Sequence, residues 1–181
     1  MKKLILVPGL IGGAIASLTV IISTIICYNT GRFEGSMLVG YAAMILAFSM
    51  IFVAVKTKRD KYNNGIISFG EAFKTGLLIA LVTSTIYVLA WLVCYYMFIP
   101  DFMEKLSKAE IDKTIASGAS QADITQKTES MKQMSELYKN PVMVILFTYL
   151  EIFPVGVIVS LIVALILKRR TAKQEPYTAN A

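Results

Sequence analysis

The chain has 181 residues, 56% of them hydrophobic and 17% charged, with a net charge of +6. A mean hydropathy of +0.63 excludes a water-soluble globule of this size, which would leave much of that apolar surface exposed. With two cysteines, no CxxC and no histidine, the sequence also lacks a zinc site and the commonest general base.

The first apolar run covers residues 4–28, after Lys2 and Lys3. Ala14-Ile15-Ala16 has the look of a signal cleavage site, but the run continues through Val20 to Ile26. That is too long for a signal core, so a retained span is expected. Gly9, Gly13 and Ser17 recur along it every four residues, as Gly76, Ala80 and Ser84 do on the third run. Small residues at that spacing let helices approach closely, so helices 1 and 3 are expected to pack. The same pattern on helix 1 also suits a homo-oligomer.

A second span is expected over residues 36–55, and a third over 72–98 with its start between Phe69 and Lys74. Ser68 and Glu71 have the spacing of a capping box. Residues 99–140 form a long polar loop with helical periodicity on either side of Ser117-Gly118-Ala119-Ser120. Two readings suit it: a helical hairpin at the membrane face, or extensions of the flanking helices. A fourth span, 141–167, is followed by a tail at 168–181. Each run is long enough for a hydrocarbon core of roughly 30 Å and must be helical there, because lipid offers the backbone no hydrogen-bond partner. The fold class is therefore all-α: a single membrane domain, 1–181, built as a four-helix bundle with a helical extramembrane segment before the last helix.

Charge placement gives the direction. Eleven Lys and Arg residues flank the N-terminus, the loop between spans 2 and 3 and the C-terminal tail, against only Asp60, Glu71 and Glu175. The other side carries Arg32 and Glu34, then six lysines and seven acids in the long loop. By the positive-inside rule both termini are cytoplasmic. Tyr28, Tyr87, Trp91, Tyr95, Tyr96 and Phe98, with Phe147 and Tyr149, lie toward the outer ends of their spans, as an interfacial belt does. The positive charge is thus matched to the lipid bilayer and not to nucleic acid.

Ile67-Ser68-Phe69-Gly70-Glu71-Ala72-Phe73-Lys74-Thr75-Gly76, Phe153-Pro154-Val155-Gly156 and Ala164-Leu165-Ile166-Leu167-Lys168-Arg169 together carry a family likeness. Over nearly its whole length the chain resembles the domain-of-unknown-function 4199 family of four-span bacterial membrane proteins. The resemblance implies a bacterial inner-membrane protein and brings no activity, substrate or site residue with it.

One residue breaks the fourth apolar run. Glu151 lies about 4–5 Å outward from the helix centre near Pro154. An ionisable group at that depth costs roughly 2.5–3.5 kcal/mol on insertion scales and is a functional candidate by default. Thr19, Thr85 and Tyr87 lie at matching depth, and Pro154 is expected to kink the helix and free a carbonyl near Leu150. These residues suit a proton or cation site between helices, or a neutral acid that ties helices together. Cys27 and Cys94 lie near the outer ends of helices 1 and 3, as free thiols or as a disulfide.

No HExxH, GxSxG or phosphate-loop motif occurs, so no catalytic residue, cofactor or enzymatic activity is expected. The leading expectation is an accessory or interaction protein that meets a protein partner through residues 99–140. The alternative is a small proton- or cation-coupled transporter or channel subunit using Glu151 at the Pro154 kink.

Overall fold

The structure, a computed structural model, describes residues 2–30 and 37–169. Arg32, Glu34 and Ser36 on one side, and Arg170, Lys173 and Glu175 in the tail, lie outside the described residues. Six α-helices carry the chain: α1 (Lys2–Thr30), α2 (Met37–Thr57), α3 (Phe69–Val93), α4 (Phe102–Ala116), α5 (Gln121–Tyr138) and α6 (Pro141–Leu167). α2 and α3 each continue as a wider π-helical turn, over Lys58–Tyr62 and Cys94–Phe98. α1, α2, α3 and α6 are long and apolar enough to cross a membrane.

α3 lies between α1 and α6, and α2 packs across both of those as well as on α3. Glycines fix how closely these helices approach. A Cβ on Gly9 or Gly13 would come within 2.7 Å of Val82 or Ile86 of α3. At Gly12 it would meet the Ala47 carbonyl of α2 at 2.8 Å. The Thr83 hydroxyl donates to the Gly9 carbonyl at 3.2 Å, a hydrogen bond that joins α1 to α3.

The second stripe faces elsewhere. A Cβ on Gly76 would strike Ile51 of α2 and Ser160 of α6, and one on Gly156 would strike Ala80 and the Phe48 ring. α1 and α3 therefore pack through Gly9 and Gly13, while Gly76 and Ala80 serve the contacts of α3 with α6 and α2. The sequence reading had given both stripes to one interface. The reason lies in helix geometry: equal spacing defines a stripe but not the direction it faces. Ser17 and Ser84, the last members of the two stripes, are buried, and among the described residues neither hydroxyl has a hydrogen-bond partner.

At the end where α3 begins, Ser68 caps the helix by accepting from the Glu71 N–H at 3.2 Å. The Glu71 carboxylate does not reach back to close a capping box. It accepts instead from Asn63 and pairs with Lys58, each at 3.0 Å, tying the preceding π turn to α3. Ile67 and Arg169 exchange two backbone hydrogen bonds beside them, which fastens the α2–α3 loop to the end of α6.

At the opposite end, residues 99–140 are a hairpin of two helices and not an extension of the spans. Pro100 separates α3 from α4, and Asn140 starts α6 afresh by capping the Val142 N–H at 2.9 Å. Gly118, with φ +74°, takes the left-handed conformation that ends α4 and turns the chain. A full capping box between Ser120 and Asp123 then begins α5, and Lys127 bonds Glu110 across the hairpin at 2.7 Å.

Candidate functional site

The half of the bundle away from the hairpin, around Gly76, Gly156, Phe48 and Ile51, is closely packed, with Phe48 and Ile51 fully buried. Toward the hairpin, two cavities lie among the helices. A cavity of about 130 Å³ lies between Ala16, Thr19 and Val20 of α1, Gly40 and Met44 of α2, Tyr87 of α3 and Glu151 of α6. A second cavity, of about 320 Å³, reaches from Ser23, Thr24 and Cys27 across to Tyr87, Trp91, Thr148 and Glu151. Phe102, Leu106 and Tyr138 of the hairpin roof it. Val20, Ser23, Tyr87 and Glu151 line both, so Glu151 stands where the two spaces meet.

Neither lining contains a lysine or an arginine. Among the described residues none forms a hydrogen bond or ion pair with the Glu151 carboxylate. The site is one acid, itself exposed on α6, bordered by hydroxyls, aromatic rings and aliphatic side chains. On the roof, burial, then the Glu151 charge and Tyr95, push the Tyr138 phenol above its ordinary value.

Of the residues picked out beside Glu151, the structure brings Thr19 and Tyr87 into the cavity with it. Thr19 donates to the Ile15 carbonyl of its own helix at 2.9 Å and turns its remaining oxygen lone pairs to the neighbourhood. Thr85 is elsewhere, its hydroxyl 2.8 Å from that of Tyr149. Tyr87 and Thr85 are two positions apart, about 200° around the helix, so they cannot share a face. Pro154 lies on the exposed side of α6, in the same row as exposed Leu150, and lines neither cavity. α6 passes through it as one helix.

Sequence reasoning missed Ser23, Thr24 and Thr148. The first two lie one turn outward from Thr19 and Val20, and Thr148 lies one turn outward from Glu151, so helical spacing from the acid was the available signal. It also missed the part played by Phe102 and Tyr138, whose place in the site depends on the hairpin folding back. Cys27 and Cys94 are free thiols; Cys27 lines the larger cavity and Cys94 is buried.

The roof is held by contacts of two kinds. Trp91 meets Phe102 edge-on at 5.2 Å between ring centres, and Tyr95 meets Tyr138 at 5.8 Å. At the rim, the Tyr28 hydroxyl donates to Asp101 at 3.1 Å, and the Lys105 ammonium pairs with Asp101 while sitting 3.5 Å above the Tyr28 ring. Hydrogen bonding to Lys105, helped by Tyr28, holds the Asp101 carboxyl below its ordinary value, and Tyr28 and Asp101 hold the Lys105 ammonium above its own.

The signs set a pH window. The Asp101 contribution is present above about pH 3.9 and is lost as pH falls through the depressed native value. The Lys105 contribution is present below about pH 10.4 and is lost as pH rises through the raised native value. A spin label at Ser107 should therefore keep constant mobility between those limits and loosen outside them. Asp101→Asn should abolish the acid transition alone. Both groups are exposed, so the change is in hairpin mobility and not in global unfolding.

The model of a family described as "Protein of unknown function (DUF4199)" matches residues 9–169. No curated protein and no solved structure matches the chain.

Proposed function

The chain belongs to the DUF4199 family of proteins of unknown function, and because that membership assigns no activity, we propose one from the cavity: binding of a cation at Glu151. The protein is a non-enzymatic accessory protein of a bacterial inner membrane. Both termini are cytoplasmic, following the distribution of Lys and Arg, and the hairpin and cavity face outward. The observation that carries this reading is the carboxylate at the junction of two cavities whose walls, among the described residues, contain no basic side chain. Placing an acid there costs free energy, which a cation entering from the hairpin side offsets. The close packing on the cytoplasmic side favours binding over an open channel in this state. The exposed faces of α4 and α5 are the surface available to a protein partner.

Cys27 offers a test, because it lines the same cavity as Glu151. In a Cys94→Ser background, a cationic methanethiosulfonate is expected to modify Cys27 faster than an anionic one. The carboxylate's share of that preference is about tenfold, the rate ratio that ~1.4 kcal/mol of attraction gives. Glu151→Gln should remove that share while thermal stability in detergent is kept. Equal selectivity in Glu151→Gln and its parent would refute the cation site.

A further inference from the structure

Resting on that reading, we infer that the cation is an organic ammonium, recognised by the aromatic walls of the larger cavity as well as by Glu151. Tyr87, Trp91, Phe102 and Tyr138 line the space of about 320 Å³ together with the acid. These rings come from three different helices, α3, α4 and α5, and converge only because the hairpin folds over the bundle. A cation placed over such faces is attracted by their quadrupoles, with about 0.5–2 kcal/mol from each well-placed ring. The protein already uses this attraction at the rim, where Lys105 lies over Tyr28.

The donor set argues against a metal ion as the natural occupant. Calcium takes six to eight oxygen ligands and magnesium a strict octahedron. The described residues contain no group of three or more His, Cys, Asp or Glu able to hold a metal. A single carboxylate opposed by rings and hydroxyls suits instead a cation with an apolar surface, which sheds water at small cost and fills a space too large for a bare ion. A protonated or quaternary amine has that chemistry. It reaches the cavity either as a free solute from the outer side or as the head group of an aminophospholipid in the surrounding bilayer.

The chain's single tryptophan, Trp91, is in the cavity wall, so its emission reports occupancy. The protein is placed in nanodiscs of phosphatidylglycerol and titrated with choline, then with 3,3-dimethyl-1-butanol, which replaces the ammonium nitrogen by carbon. The expected result is a saturable change of Trp91 emission with choline, at least about tenfold weaker with the neutral isostere. Glu151→Gln and, separately, Phe102→Leu should each weaken the choline response. The isostere comparison needs no variant and stands whether or not these fold.

Repeating the titration in phosphatidylethanolamine nanodiscs separates the sources. Emission already shifted before choline is added, with little further response, assigns the site to a lipid head group. An unchanged titration assigns it to a free solute. Either outcome supports recognition of an ammonium. A Trp91 signal indifferent to choline in phosphatidylglycerol, or equal for choline and its isostere, overturns it. If Cys27 nevertheless keeps its Glu151-dependent preference for cationic reagents, the cation site survives and only the aromatic recognition falls. Loss of both removes both.

Discussion

Gly12→Val is expected to prevent assembly of the bundle, while Gly70→Ala leaves it as stable as the wild type or slightly more so. The first added Cβ would sit 2.8 Å from the Ala47 carbonyl oxygen and 3.0 Å from the Thr83 hydroxyl. A backbone carbonyl inside a helix cannot turn aside, so α1 would have to move away from α2. That move also stretches the Thr83–Gly9 hydrogen bond on the neighbouring face. Overpacking of this kind costs about 1–3 kcal/mol when neighbours can adjust, and more when they cannot. At Gly9 and Gly13 an added Cβ would come within 2.7 Å of the Cβ atoms of Val82 and Ile86, which the backbone fixes, so Ala substitutions there also force α1 away from α3. A Cβ at Gly70 meets nothing within 4 Å, and Ala is the better helix former by about 0.5–1 kcal/mol. Thermal unfolding in detergent, with the monodisperse fraction from size exclusion, ranks the variants. A well-folded Gly12→Val protein would show that this crossing does not hold the bundle together.

Removing residues 104–135, with a short Gly-Ser linker from Met103 to Glu136, is expected to leave four inserted spans and a cavity whose roof residues Phe102 and Tyr138 no longer have their helices to hold them in place. The spans bury their own contacts through Phe48, Ile51, Ile79 and Ile152, none of which depends on the hairpin. Trp91, by contrast, relies on the roof, since it packs in a separate cluster with Tyr95, Met103 and Val144, against which Phe102, Leu106 and Tyr138 also rest. Its emission should therefore move to the red. Water entering above Glu151 raises the local dielectric from an effective value of about 20 toward 80, which cuts its attraction for a cation about fourfold. The tenfold contribution to Cys27 selectivity should fall below about twofold. Unchanged Trp91 emission would mean that the hairpin does not cover the site.

The four long apolar helices were legible because lipid imposes them residue by residue: long apolar runs must be helices there. The rotation of each helix was not. In water one polar and one apolar face settle which side turns inward. In α3 and α6 nearly every face is apolar, so only small residues mark the contacts, and they do not say which neighbour they meet. Gly76 and Gly156 illustrate this, each fitted to two other helices at once. Glu151 was conspicuous as a charge inside an apolar run. Its surroundings were hidden, because Ser23, Tyr87, Phe102 and Tyr138 lie on four different helices and meet only after the hairpin folds back.

Glu151 lies ten positions into α6, which places it roughly 15 Å along that helix from Pro141. The helix, about 40 Å long, overhangs a hydrocarbon core of roughly 30 Å by about 5 Å at each end. With the hairpin facing outward, as proposed, a charge moving from the outer surface to the carboxylate would cross about a third of the membrane's electric field. A cell interior negative by 100 mV draws such a charge inward with roughly 0.8 kcal/mol, a third of the ~2.3 kcal/mol for a full crossing. Occupancy of the proposed cation site would then be tied to the energised state of the membrane, its apparent affinity changing about fourfold between a polarised and a depolarised cell.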